Sequence, residues 1–181
     1  MAKELHAVRV ETNVEIVMRD GVVLRADVYR PDSPGRFPVV LERTPYNREE
    51  RRGNHIVMPL YVAQRGYAVV IQDVRGRHSS DGQFMPFHQE REDGYDTLAW
   101  CADQEWSTGK LGTFGGSYVG ATQWLAATQQ HPALACMVPA VTSDDYFEGW
   151  TYQGGAFALG FAGTWALHTL TLANLPNLTR R

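Results

Sequence analysis

Apolar and polar residues alternate along NVEIVMRDGVVLRADVYR, residues 13–30, and Asp20-Gly21 interrupts the alternation at its centre. A period of two on either side of an Asp-Gly pair predicts two antiparallel strands closed by a tight turn. A Pro/Gly loop, Pro31 to Pro38, follows, and then a short apolar strand, PVVLERTPY (38–46). Residues 55–65 carry a helical pattern that Gly66 ends, and AVVIQDVRG (68–76) is a continuous apolar run of the kind buried on both faces of a parallel sheet. Residues 89–103 predict an amphipathic helix with an acidic start. KLGTFG (110–115) predicts a strand, 118–130 a helix closed by His131-Pro132, and ALACMVPAV (133–141) a further strand. Strands alternating with helices imply a mostly parallel α/β sheet after an antiparallel start. Beyond Asp144 the rhythm stops, and an uncharged region of predicted helices begins.

The composition narrows the classes of function. A chain of 181 residues, 44% apolar and 20% charged, fits one globular domain. A net charge of −3 with no basic tract gives no footprint for nucleic acid or for an anionic membrane. Cys101 and Cys136 lack metal-ligand spacing and are expected to be small buried thiols. The N-terminus, MAKELHAVRVETNVEI, has no apolar signal-peptide core, so a cytoplasmic location is the expectation. Residues 154–175, GGAFALGFAGTWALHTLTLANL, have the length of a membrane span. Their glycines, threonines, His168 and Asn174 favour helices packed against protein instead.

The stretch FGGSYVGATQW (114–124) carries the candidate chemistry. It places Ser117 between a predicted strand and a predicted helix, at the carboxyl edge of the sheet where such folds hold their sites. A nucleophile elbow needs small neighbours, and Gly115, Gly116 and Gly120 supply them. The general pattern G-x-S-x-G is departed from, because Val119 stands where the second glycine belongs and Gly120 follows it. Two other readings stand beside the nucleophile. One is a serine N-cap, and the other is a phosphate loop. The phosphate reading is weakened by the absence of G-x-G-x-x-G spacing and by Leu111 after Lys110 where a P-loop needs Ser or Thr.

Taken together, RDGVVLRADVYRP (19–31), PVVLERTPYNR (38–48), YAVVIQDVRGRHSSDGQF (67–84), EREDGYDTLAW (90–100), EWSTGKLGTFGGSYVGATQWLAA (105–127) and WTYQGGAFALGFAGTW (150–165) resemble the X-prolyl dipeptidyl-peptidase and cocaine esterase-like family of serine hydrolases. The resemblance implies an α/β-hydrolase fold, and Gly115 to Gly120 fit that family's own G-x-S-Y-x-G elbow. It implies Ser117 as nucleophile, the Tyr118 backbone N–H as one oxyanion donor and the Tyr46 hydroxyl as the other. It implies Trp150 and Trp165 as walls of the substrate pocket, and Asp73, Arg75 and Asp81 as structural residues that hold loops. It implies a small-molecule ester or peptide as substrate, and neither a cofactor nor a metal. Residues 1–143 would be the N-terminal part of the hydrolase core and 144–181 the start of a helical cap.

A nucleophilic serine also needs a base and an orienting acid, which follow it in the order Asp/Glu then His in this fold. Only His131 and His168 follow Ser117. His131 would sit at the far end of the elbow helix, about 20 Å away at 1.5 Å per residue. His6, His55, His78 and His88 precede the serine, in the wrong order. The resemblance implies that the acid and the histidine lie past residue 181. Loss of the base costs on the order of 10⁶ in kcat. The expectation is therefore an incomplete serine hydrolase, or an inactive remnant or subunit that needs a second part to supply Asp and His. A sheet edge and an apolar cap surface left uncovered would favour self-association.

Overall fold

The computed structural model describes residues 5–50 and 58–171, with the side chains of 168–170 excepted. The alternating stretch forms β1 (Val8–Val17) and β2 (Val23–Pro31), paired antiparallel. At their turn Gly21 takes a positive φ of 84°, the Asp20 carboxylate accepts from the Val22 N–H at 3.2 Å, and Met18 and Val22 close the ladder at 2.8 Å. β3 (Phe37–Thr44), α1 (Pro59–Ala63), β4 (Ala68–Asp73), α2 (Glu90–Asp103), β5 (Ser107–Gly116), α3 (Tyr118–Ala127) and β6 (Leu134–Ala140) follow. Of the predicted helix over 55–65, residues 55–57 lie outside the described residues.

The six strands form one sheet in the order β1-β2-β4-β3-β5-β6. β1–β2 and β2–β4 pair antiparallel, and β4–β3, β3–β5 and β5–β6 pair parallel. This is the mostly parallel α/β sheet with antiparallel N-terminal strands. All six residues of β4 are buried, as the apolar run required, and Val69, Val70 and Ile71 each contribute about 1.5–3 kcal/mol by leaving water. The larger core cluster lies on one face, where Leu98 and Cys101 of α2 and Ala126 of α3 meet Leu24, Val28, Val39, Leu41, Val70 and Leu111. The opposite face holds a smaller cluster of Tyr29, Val69, Ile71 and Phe114 beneath Ala63 of α1.

Several expectations are refined or corrected. The helix expected over 89–103 is α2, but the face it buries is not purely apolar, because Glu90 and Asp93 of its acidic start are buried against arginines. The helix after Ser117 ends at Ala127 and passes into turns, with Gln130 at a positive φ of 53°. Cys136 is exposed on the edge strand β6, whereas Cys101 is buried. Finally, the chain beyond Asp144 does not become helical at once. Turns lead into a small hairpin of β7 (Tyr152–Gln153) and β8 (Ala156–Phe157), because Gly154 and Gly155 both take positive φ and turn the chain. Only then come α4 (Leu159–Thr164) and a π-helical stretch, Trp165–Thr171. This segment, β6 and the residue that follows β6 expose Val138, Val141, Phe147, Leu159 and Phe161. Among the described residues no helix is long and apolar enough to cross a membrane.

Candidate active site

β5 ends at Gly116 and α3 begins at Tyr118, so Ser117 alone makes the turn, with φ 58° and ψ −128°. A non-glycine residue in this region costs roughly 1–3 kcal/mol and persists only where its surroundings impose it. Two contacts impose it here. The Ser117 N–H donates to the carbonyls of Ala140 (2.9 Å) and Val141 (3.1 Å), tying the turn to the end of β6. The flanking glycines let the helix close over it. A Cβ at Gly115 would stand 2.2 Å from Val119 Cγ1, and one at Gly120 would stand 2.7 Å from Thr142 Cβ.

Ser117 makes no side-chain capping hydrogen bond, so the N-cap reading fails. Instead the residue opens on a cavity of about 520 Å³, whose walls include Val141, Thr142, Trp150, Gln153 and Phe161. No ionisable side chain lines that cavity among the described residues, which does not suit a phosphate group. The backbone places donors around the serine. Tyr118 holds the first position of α3, where a helix leaves its N–H without an intrahelical acceptor.

Tyr46 follows the carboxyl end of β3, the parallel neighbour of β5, so topology carries it to the same edge of the sheet as Ser117. Its turn is clamped from several sides. The Tyr46 N–H donates to Thr44 Oγ1 at 3.1 Å, and the Pro45 carbonyl is bonded by Arg77 Nε at 2.9 Å and His78 Nε2 at 3.1 Å. Trp165 Nε1 donates to the Tyr46 hydroxyl at 3.3 Å. A phenol that accepts from an indole keeps its own proton available for another acceptor.

Buried charges brace both sides of the site. On the α1 face Arg48 donates from Nε to Asp27 at 3.1 Å, from its backbone N–H to Asp73 at 2.8 Å and from Nη2 to Asn13 Oδ1 at 2.8 Å, and its Nη1 bonds Asp73 as well. Desolvation raises the Asp73 carboxyl above its ordinary value, and Arg48 opposes that rise. Burial likewise holds the His78 imidazole below its ordinary value, against the pull of Asp73. On the α2 face Arg75 grips Asp93 at 2.6 and 2.9 Å and Asp20 at 2.7 Å, while Arg43 meets Glu90 at 2.9 Å. Asp81 stands 3.9 Å from Arg25. Asp73 and Arg75 thus sit in charged hydrogen bonds that hold loops, whereas Asp81 ties its loop through its backbone, accepting from the Gly76 N–H and donating to the Val23 carbonyl, both at 2.9 Å. Sequence reasoning missed the buried charges that Asp73 and Arg75 share these networks with, Asp27, Arg48, Glu90 and Asp93, because burial of a charge leaves no mark on a linear pattern.

The aromatic residues converge on Phe87, which sequence reasoning also missed. Its ring stacks on Tyr118 (4.8 Å between centroids) and Tyr146 (4.7 Å), meets Trp150 edge-on at 6.0 Å and lies 6.4 Å from Trp165. Trp150 lines the cavity, and Trp165 stands beside it against Tyr46, Tyr118 and Phe161.

No described histidine side chain lines the cavity. His6 bonds Ser33 Oγ at 3.3 Å, His78 serves the Pro45 turn, and His88 is exposed. His131 follows the far end of α3, accepting from the Ala133 N–H at 3.2 Å with its ring edge-on to Tyr95. His55 and the side chain of His168 lie outside the described residues. Asp145 closes a local turn, accepting from the N–H groups of Phe147 (2.8 Å) and Glu148 (3.1 Å). Among the described residues no cluster of His, Cys, Asp and Glu has the arrangement of a metal site.

Comparison with known proteins gives this geometry a context. The family model for X-Pro dipeptidyl-peptidase (S15 family) matches residues 20–180. Cocaine esterase of Rhodococcus sp. (strain MB1 Bresler) is 41% identical over 153 residues, covering 83% of this chain and 27% of that protein. Among solved structures, a CocE/NonD family hydrolase from Staphylococcus aureus superposes with a TM-score of 0.84 at 28% identity, covering 93% of this chain and 34% of that one. An aminopeptidase from the marine sediment archaeon Thaumarchaeota archaeon gives a TM-score of 0.67 at 33% identity, covering 80% and 26%. The chain thus spans between a quarter and about a third of the length of these relatives.

Proposed function

The chain belongs to the X-Pro dipeptidyl-peptidase (S15) family, and on that premise we propose that it carries the nucleophile and oxyanion hole of a serine hydrolase acting on a small ester or amide. The observation that carries the reading is the Ser117 turn, a non-glycine residue at φ 58° opening on a largely apolar cavity. In the reaction Ser117 Oγ adds to the carbonyl carbon and its proton passes to a base. The negative oxygen then takes hydrogen bonds from the Tyr118 N–H and the Tyr46 hydroxyl. Collapse expels the alcohol or amine, which takes up that proton, and leaves an acyl-Ser117 that water hydrolyses. The relatives' names include an esterase and an aminopeptidase, so the bond cleaved stays at the level of an acyl group on oxygen or nitrogen.

Residues 1–143 act in this reading as the hydrolase core and 144–181 as the start of the cap. Trp150 and Trp165 form the aromatic side of the acyl pocket, and no organic cofactor or metal takes part. The base and its orienting acid come from outside the described residues, since no described histidine side chain lines the cavity. This favours a second form of the same reading, in which the chain becomes active only when a further segment or a partner supplies Asp and His. The test is intact mass after exposure to a fluorophosphonate, with Ser117→Ala alongside. One adduct that the variant loses supports an activated Ser117. Equal labelling of both chains refutes the assignment. No adduct on the folded chain leaves the form that needs a partner.

A further inference from the structure

The Tyr118 side chain does something that its backbone role does not require. Its ring is fully buried, and its hydroxyl donates to Glu90 Oε1 at 2.7 Å while accepting from the Phe87 N–H at 3.0 Å. Glu90 is the first residue of α2, is itself buried, and turns its other oxygen to Arg43 Nη1 at 2.9 Å. Phe87 holds a positive φ of 68°, a strained state for a bulky residue, and its N–H is bonded by the same phenol. The hydroxyl therefore joins three things: the residue after the nucleophile, the first turn of α2, and the loop that carries the aromatic hub.

We propose that Glu90 is a positioning residue for the elbow, acting through the Tyr118 phenol to fix the direction of the Tyr118 backbone N–H. The inference rests on the reading of Ser117 as nucleophile. A carboxylate can accept from the phenol through Oε1 while its charge pairs with the Arg43 guanidinium at Oε2, an ion pair and not a hydrogen bond. An amide cannot. In Glu90→Gln an NH₂ group facing the guanidinium would set donor against donor, so the amide oxygen turns to Arg43 and the phenol loses its acceptor. A hydrogen bond to a buried charge is among the stronger ones, and its loss corresponds to a rate change on the order of tenfold.

The test uses the whole chain and two readouts. Backbone amide resonances of Ser117, Tyr118 and Val119 are compared in the wild type and in Glu90→Gln. The rate of fluorophosphonate labelling at Ser117 is followed in both, in Tyr118→Phe and in the double variant. The expected result is a displaced Tyr118 amide in Glu90→Gln with the distant β1–β2 amides unmoved. Labelling should slow about tenfold in each single variant and no further in the double. An unmoved Tyr118 amide, or effects that multiply in the double variant, overturns the inference. If the wild type takes no label, the reading of Ser117 on this chain alone suffers, and the amide shifts still decide the role of Glu90. Glu90→Asp keeps the charge while withdrawing it from the phenol, and it replaces the glutamine variant if that one does not fold.

Discussion

Gly115→Ala puts a single methyl group where the elbow has no room for it. Two costs can be worked from the geometry. The residue sits at φ 131°, a region that is strained for alanine by roughly 1–3 kcal/mol. The new Cβ would also lie 2.2 Å from Val119 Cγ1 and 2.9 Å from its Cβ, and forcing a methyl group into a packed site costs a further 1–3 kcal/mol or so. The sum, about 2–6 kcal/mol, is a large part of the stability of an ordinary domain. With a urea slope of about 2 kcal/mol per molar, the unfolding midpoint should fall by about 1–3 M with the slope unchanged. Tryptophan fluorescence and far-UV circular dichroism should report the same midpoint. Val119→Ala removes the Cγ1 atom at 2.2 Å but keeps the Cβ at 2.9 Å, so in its background the cost of Gly115→Ala should shrink to the backbone share plus a small residual steric share. An unchanged midpoint in Gly115→Ala would refute the steric account of the elbow. Complete recovery in the Val119→Ala background would refute the backbone share.

Two further outcomes follow from the buried charges. Arg48→Met removes the guanidinium that pairs with buried Asp27 and Asp73 and should cost about 3–5 kcal/mol in the same urea assay, and Asp73→Asn added to it should return part of the loss. His78 carries a folded pKa depressed below 6.5 by burial, so its stabilising share is whole above pH 6.5 and is lost as pH falls through the folded value. Thermal midpoints should therefore drop on acidification below 6.5. His78→Asn suits the positive φ of 49° and should flatten that drop, leaving the share of His131, which is shifted the same way. An identical pH slope in the variant would show that His78 contributes nothing.

Much of the fold was legible in the sequence, because periodicity reports burial one strand at a time. The β1–β2 hairpin followed from alternation about Asp20-Gly21, and β4 from an unbroken apolar run. The Ser117 turn followed from glycines whose absent side chains are a steric requirement. The segment after Asp144 was misread, since an uncharged stretch rich in aromatics suits a glycine-turned hairpin as well as a helix. The exposure of Cys136 was misread because a strand at the edge of a sheet has the same composition as one inside it.

By itself, then, the sequence determined where the strands and turns of the sheet up to Ala140 fall and which serine stands at the end of a strand, for these depend on neighbours within a few positions. Only the tertiary structure decided which charges are paired in the interior, as Arg48 is with Asp27 and Asp73, and that Tyr118, Glu90 and Phe87 share one hydroxyl. It alone set Trp165 against Tyr46, residues 119 positions apart in the chain. Such contacts cross the sheet between distant segments. Their energy comes from burial and geometry, which a one-dimensional pattern does not contain.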